Sequence, residues 1–266
     1  SDGNILFDTF GHSITTPAIP GLQRAQKRWE TLCQEEIDWQ SLLIKISTSF
    51  VTSSIQQESK KDRHLYDRAL QSEAINKIND QDLINELGLI IDQMEDLAFQ
   101  DAVSISWLGL DWMQNSEVGQ LVPLGEDLYN GISGIALFLA AYQHQFHDER
   151  SITLLKKIVN ALHEQIHAPS SARWARSLGI GGASGIGSII YVLLNIATLL
   201  DDDEILGDAI AASKLYTKEL IDADQGLDVV AGSAGAILCL LALYRKTHSS
   251  EVLEKAVLCG EHLLNT

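Results

Sequence analysis

The chain has 266 residues, enough for one large domain or two small ones, and its 45% hydrophobic content supplies a sizeable core. Thirty-six acidic residues oppose 19 basic ones, and the formal net charge of −17 argues against nucleic acid or an anionic membrane surface as the main partner. The longest apolar run, 187–200, is short of the roughly 20 residues of a membrane-spanning helix, and three scattered cysteines suggest a reducing compartment, by default the cytoplasm.

The N-terminus has neither the basic start nor the apolar core of a signal peptide. A chain that starts on Ser1 and stops directly after an apolar helix pattern is expected to be a piece of a longer protein. Spacing predicts a short amphipathic helix over 18–33, opened by Pro20, with Leu22, Ala25, Trp29 and Leu32 on one face. A second helix carries Ile37, Trp39, Leu42, Leu43, Ile46 and Phe50. Residues 51–64 are polar and form the best linker candidate. From Ala74 to Phe99 the positions Leu83, Leu87, Ile90, Met94 and Leu97 make one stripe on a long helix.

The remainder contains an internal repeat. Asp127 to Ile135, the stretch from Gly181 to Ile186, and Asp228 to Ala236 align on paired glycines. The pairs are Gly131 with Gly134, Gly182 with Gly185, and Gly232 with Gly235, spaced by 51 and then 50 residues. Each pair leads into a helix apolar almost all round, over 135–142, 189–194 and 237–244. Half a repeat later, Ile152, Leu155, Val159, Leu162 and Ile166 form a single apolar stripe. A helix apolar all round is buried, and one with a single stripe lies between core and water. Alternating the two gives an inner and an outer ring. The predicted fold is therefore all-α, an incomplete α/α toroid preceded by a short helical segment. Glycine at the inner-helix starts lets backbone approach backbone where inner helices crowd.

A G-x-x-G-I/A motif repeated before apolar helices resembles the lanthionine cyclase fold. The lead-in from Trp107 to Leu110 and on through Pro123 to Ala140 is similar to the entry of the cyclase half of the bifunctional class II lanthipeptide synthetases, the LanM type. Arg24, Arg28 and the segment Trp39–Ser49 resemble helices closing the dehydratase half. On this resemblance, residues 1–72 belong to the dehydratase region and 73–266 to the first part of the cyclase. It implies a cytoplasmic enzyme acting on a ribosomal precursor peptide. ATP and Mg²⁺ would serve dehydration of Ser and Thr, and Zn²⁺ would activate Cys thiols for thioether formation. The zinc ligands and the ATP site are expected outside this chain, which alone should be inactive. The resemblance places an aspartate at the start of the third glycine motif, and Asp228 matches it in a supporting acid/base or orienting role.

Other residues have plainer readings. Asp228 is equally suited to capping the helix that follows. Cys259 and His262 are three apart on a predicted helix, yet no second ligand pair accompanies them, so a core thiol beside a surface histidine is expected. His163 with His167, and His144 with His147, lack a neighbouring carboxylate motif and read as surface residues. Cys239 reads as core. The glycines of 179–185 lack the Lys-Ser/Thr ending of a phosphate-binding loop, and Asp201 to Glu204 reads as a solvated turn. Two other functions share the periodicity. One is a non-catalytic helical-repeat binding module; the other is an α/α-toroid glycosidase, for which Asp127 and Asp228 are the candidate carboxylates.

Overall fold

The computed structural model describes residues 6–7, 13–15, 21–34, 36–41, 43–45, 48, 79–102, 104–112 and 119–266. It divides into two units, one of residues 1–74 with 112–120 and one of 75–111 with 121–266. The proposed linker at 51–64 lies outside the described residues.

In the first unit a small antiparallel pair, β1 (Leu6–Phe7) and β2 (Ser13–Thr15), precedes helix α1 (Gly21–Glu30). The helix forms where the spacing placed it, but it buries none of its residues, and Leu22 and Trp29 are exposed. Described residues of 34–48 are helical as well, and Glu36 pairs with Arg28.

The described part of the second unit starts with α2 (Asp80–Asp96), which ends before the predicted end at 99, while 74–78 of the predicted helix lie outside the described residues. Its start has a local cause. Asn79 Oδ1 accepts from the Asp82 amide at 2.9 Å while Asp82 reaches back to the Asn79 amide, a reciprocal cap. The predicted stripe is only partly used: Ile91 is fully buried, Leu87 and Met94 pack on the core, and Leu83 and Leu97 are exposed. Short strands β3 (Phe99–Gln100) and β4 (Ile105–Ser106) pair antiparallel, and β5 (Leu108–Trp112) pairs with β6 (Gly119–Pro123). Trp107, between the two pairs, donates its indole N–H to the Met94 carbonyl at 2.8 Å and so fastens the strands to the end of α2. Sequence spacing gave no sign of these strands.

Eight further helices follow: α3 (Ile132–Phe146), α4 (Glu149–His167), α5 (Ser171–Leu178), α6 (Ile186–Leu200), α7 (Asp203–Ser213), α8 (Lys218–Asp222), α9 (Ser233–Thr247) and α10 (Ser250–Asn265). Helices α3, α6 and α9 form the inner ring, with α6 packed between the other two. The outer helices α4, α7 and α10 each pack on the inner helix before them, and α4 also meets α7. This is the all-α toroid architecture, built here from three repeats. Helix α6 buries ten of its side chains or backbone positions, including Ile189, Ile190 and Leu193 at zero exposure. Loss of one such side chain to alanine typically costs about 2–5 kcal/mol. Helix α9 departs from the all-round apolar pattern in use, burying Leu240 and Leu243 while Leu238 is exposed.

The structure corrects the register of the second repeat. The inner helices are capped at Gly131, Gly185 and Gly232, and each is 15 residues long. Gly185, not Gly182, is thus the equivalent of Gly131 and Gly232. From Gly131 to Gly185 is 54 residues and from Gly185 to Gly232 is 47. Position three beyond the cap is then Gly134, Ser188 and Gly235. The G-x-x-G string of Gly182 and Gly185 sits one turn too early, inside the loop. All three inner helices end on a residue in left-handed conformation, His147, Asp201 or His248, with φ of 54°, 54° and 53°. The next residue, Asp148, Asp202 or Ser249, is the N-cap of the outer helix. Asp201 and Asp202 are therefore the turn between the inner and outer helices of the second repeat, whereas Asp203 and Glu204, read as part of that turn, open α7.

Candidate functional site

The three glycine-motif loops touch one another through backbone. The Tyr129 amide donates to the Ala183 carbonyl at 3.0 Å, and the Gly182 and Ala183 amides donate to Val229 and Val230 at 3.2 and 2.9 Å. One continuous end of the inner ring results. Its tightness explains the glycines. A Cβ on Gly235 would lie 2.0 Å from the Val229 carbonyl oxygen and 2.5 Å from the Gly182 nitrogen. The N-cap residues Gly131, Gly185 and Gly232 make no side-chain capping bond of their own.

Two aspartates at equivalent positions behave differently. Asp127 is buried, its Oδ1 accepting from the Asn130 amide at 3.1 Å and its Oδ2 from the Ser184 hydroxyl at 3.0 Å. It is committed to joining the first and second loops. Asp228 is exposed, and its Oδ1 accepts from the Ala231 amide at 2.8 Å. That bond closes a local turn, and Oδ2 has no hydrogen-bond partner among the described residues. Asp228 therefore combines the capping role and an accessible oxygen.

The loop presenting Asp228 has an anchor that sequence reasoning missed. Asp224 Oδ1 accepts from the Gly226 and Leu227 amides at 2.9 and 3.4 Å, and Oδ2 accepts from the amide and hydroxyl of Ser233 at 2.7 and 2.6 Å. Burial raises the Asp224 carboxyl, but the Ser233, Gly226 and Leu227 donors outweigh it, and the group sits below the ordinary carboxylate value. These bonds hold Leu227 at φ 59°, a left-handed conformation that costs a residue with Cβ about 1–2 kcal/mol. The only sequence signal was the acidic, glycine-containing run from Asp222 to Asp228.

The thiols sit apart from this chemistry. Cys259 is fully buried, and burial foremost, with the Asp224 charge second, pushes its pKa up to about 12. Burial pushes Cys239 up to about 11. His262 makes its contact through Nε2 to the Asp224 carbonyl at 3.0 Å. The core thiol at Cys259 is as expected, whereas His262, expected at the surface, is partly buried against the Asp224 backbone.

The histidine pairs differ. His144 Nδ1 meets the Leu199 carbonyl at 2.7 Å, satisfying an end group of α6, while His147 is the left-handed terminus of α3. His163 and His167 are half-exposed, as surface residues should be, yet they do have a carboxylate partner. Asp208 of α7, almost wholly buried, lies with Oδ1 2.9 Å from both His163 Nδ1 and His167 Nε2. The carboxylate comes from the next outer helix, so no local motif announced it.

Buried inner helices, one-sided outer helices and loops stacked at one end define a helical toroid of the cyclase type. A family model described as lanthionine synthetase C-like protein matches residues 122–266, more than half of the chain, and the chain belongs to that family. No curated protein matches it. Members are lanthionine cyclases that typically bind zinc. Among the described residues neither the buried Cys239 and Cys259 nor the exposed Cys33 belongs to a group with metal-ligand spacing. Among the described residues, His163, His167 and Asp208 form a group with metal-ligand spacing, and it contains no thiol. No helix among the described residues is long and apolar enough to cross a membrane.

Proposed function

We propose that this chain is part of a bifunctional class II lanthipeptide synthetase of the LanM type, acting in the cytoplasm on a ribosomal precursor peptide. Residues 1–72 are read as the end of a dehydratase that uses ATP and Mg²⁺, and 73–266 as the first part of the cyclase. The observation that carries the cyclase half is the family match over 122–266 on a three-repeat toroid. The dehydratase half rests on the sequence resemblance of Arg24, Arg28 and the segment Trp39–Ser49 alone.

In this reading the cyclase adds a Cys thiolate to the β-carbon of a dehydroamino acid, and the α-carbon then takes a proton. Asp228 is assigned a supporting part, orienting a proton donor or water near the glycine-motif end. Its exposure and its second oxygen support that assignment. The zinc of the parent enzyme would be held by residues outside this sequence, and the 266-residue chain alone is expected to form no thioether.

The test uses the synthetase that carries this chain and a dehydrated precursor peptide, with thioether formation followed by mass spectrometry and loss of alkylatable thiol. Asp228→Asn keeps the oxygen that accepts from Ala231, so the melting temperature should stay nearly unchanged while cyclisation slows. Unchanged cyclisation would reduce Asp228 to a loop cap. No thiol consumption by the unaltered enzyme would overturn the cyclase reading itself.

A further inference from the structure

The outer ring carries a second chemical feature, remote in sequence from the glycine motifs. His163 and His167 stand four apart on one face of α4, the spacing at which two imidazoles on a helix hold zinc. Their ring centroids are 4.4 Å apart. Asp208 faces them from α7 with only 6% of its surface exposed. Its contacts are His163 Nδ1 at 2.9 and 3.1 Å and His167 Nε2 at 2.9 Å, with no Lys or Arg ion pair among the described residues. A carboxylate so buried is costly unless it is paired and hydrogen-bonded or coordinates a metal ion.

One ligand atom from each residue lies within 4.8 Å of the others. Tetrahedral zinc with bonds near 2.0–2.2 Å holds its ligand atoms about 3.3 Å apart. Reaching that spacing means opening the 2.9 Å contacts by a few tenths of an ångström and adjusting the two imidazole nitrogens, now within 4.8 Å of each other, on side chains that are half in water. His163 and Asp208 also line a groove of about 630 Å³ between α4 and α7, so solvent or a small ligand can reach the site.

We propose that His163, His167 and Asp208 form a three-ligand site for a divalent transition ion of the zinc class, clamping outer helices α4 and α7 together. The site is separate from any thiolate-containing cyclase zinc, and it stands or falls independently of the function proposed above. Two imidazole nitrogens and a carboxylate oxygen are ligands that such an ion takes, and the ion would give the buried Asp208 carboxylate a cationic partner.

The 266-residue chain, stripped with a chelator and dialysed, would be titrated with Zn²⁺ by calorimetry and then with Co²⁺ by visible spectroscopy. One saturable equivalent is expected, with cobalt ligand-field bands and no thiolate-to-cobalt charge transfer. The double variant His163→Gln/His167→Gln should lose affinity by about 100-fold or more, and Asp208→Asn by at least about 10-fold, since even outer-shell changes cost 10- to 100-fold. Zinc should raise the melting temperature of the unaltered chain but not of the double variant, whose circular dichroism verifies folding. Absence of saturable binding, or binding undiminished in the double variant, would overturn the site and leave a plain histidine–carboxylate contact. A charge-transfer band would overturn it too, by placing the ion on cysteine.

Discussion

Two glycines, both inside helices, separate close approach from mere flexibility. In α9, a Cβ on Gly235 would come within 2.0 Å of the Val229 oxygen and 2.5 Å of the Gly182 nitrogen, both backbone atoms of glycine-motif loops. In α10, a Cβ on Gly260 would meet nothing within 4 Å. Replacing a helix-interior glycine by alanine gains about 0.5–1 kcal/mol through backbone entropy and propensity. Gly260→Ala should collect that gain and raise the melting temperature by roughly 1–4 °C for a unit of this size. Gly235→Ala cannot, because the loops must move apart by more than 1 Å at the Val229 contact. Overpacking costs about 1–3 kcal/mol even against side chains that adjust. A net loss of about 3 kcal/mol is expected, or roughly 6–12 °C. Thermal and urea unfolding followed by far-UV circular dichroism measure both variants under one buffer. If Gly235→Ala matches the unaltered chain, or if Gly260→Ala is equally harmful, close packing at the motif end is not the reason for its glycines.

Other predictions concern the same framework. Tyr216 is fully buried and donates its hydroxyl to the Ile180 carbonyl at 2.6 Å, so Tyr216→Phe should cost about 1–3 kcal/mol in urea unfolding by orphaning that oxygen. Asp201 ends α6 in a left-handed conformation, and Asp201→Gly should raise stability by about 0.5–1 kcal/mol; a decrease would point to an unrecognised role for its side chain. Asp224→Ala should destabilise the chain by about 1–3 kcal/mol, because four donors lose their acceptor. The Asp224 carboxyl is held below the ordinary carboxylate value, so its contribution is present above that value and lost as pH falls through the lowered one. The stability gap between the unaltered chain and Asp224→Ala should therefore narrow only in strong acid, and a gap independent of pH there would refute the charged-acceptor account.

Inner helices were legible because burial on all sides leaves an unbroken apolar text, as in the run ending at Leu200. The repeat was legible for the same reason, but its register was not. The string Gly182 to Gly185 satisfies the G-x-x-G pattern, whereas the true register starts at Gly185 and has Ser188 in place of the second glycine, so the pattern points one turn too early. Strands β3 to β6 were illegible because pairs of two to five residues carry too little alternation. At the candidate sites the limit was sequence distance. Asp228 could be named from its motif, whereas Asp224 acts through backbone amides that have no signature. Asp208 stands 41 residues from His167 and meets it only because successive outer helices pack side by side.

The two ends of an inner helix are built differently, and the difference bears on where chemistry can occur. At the C-terminal end, a left-handed residue followed at once by an N-cap turns the chain into the outer helix, as at His147 with Asp148 and Asp201 with Asp202. That turn is short and complete in itself. At the N-terminal end the loops are longer, are hydrogen-bonded from repeat to repeat, and carry aspartates whose roles have divided. Asp127 spends both oxygens on structure, Asp224 accepts four donors, and Asp228 accepts one. A rigid backbone frame with one carboxylate left accessible is the arrangement that positions a proton-handling group. The left-handed Leu227 immediately before Asp228 adds to this, since strain of that kind persists only where neighbouring bonds impose it. The N-terminal end is thus the end at which the cyclase chemistry proposed for this family member is to be sought, and the Asp224 anchor makes a direct test. Asp224→Ala should slow cyclisation beyond what its lost stability explains at temperatures far below melting, because Asp228 is no longer held. If cyclisation is unaffected while stability falls, the frame serves the fold alone.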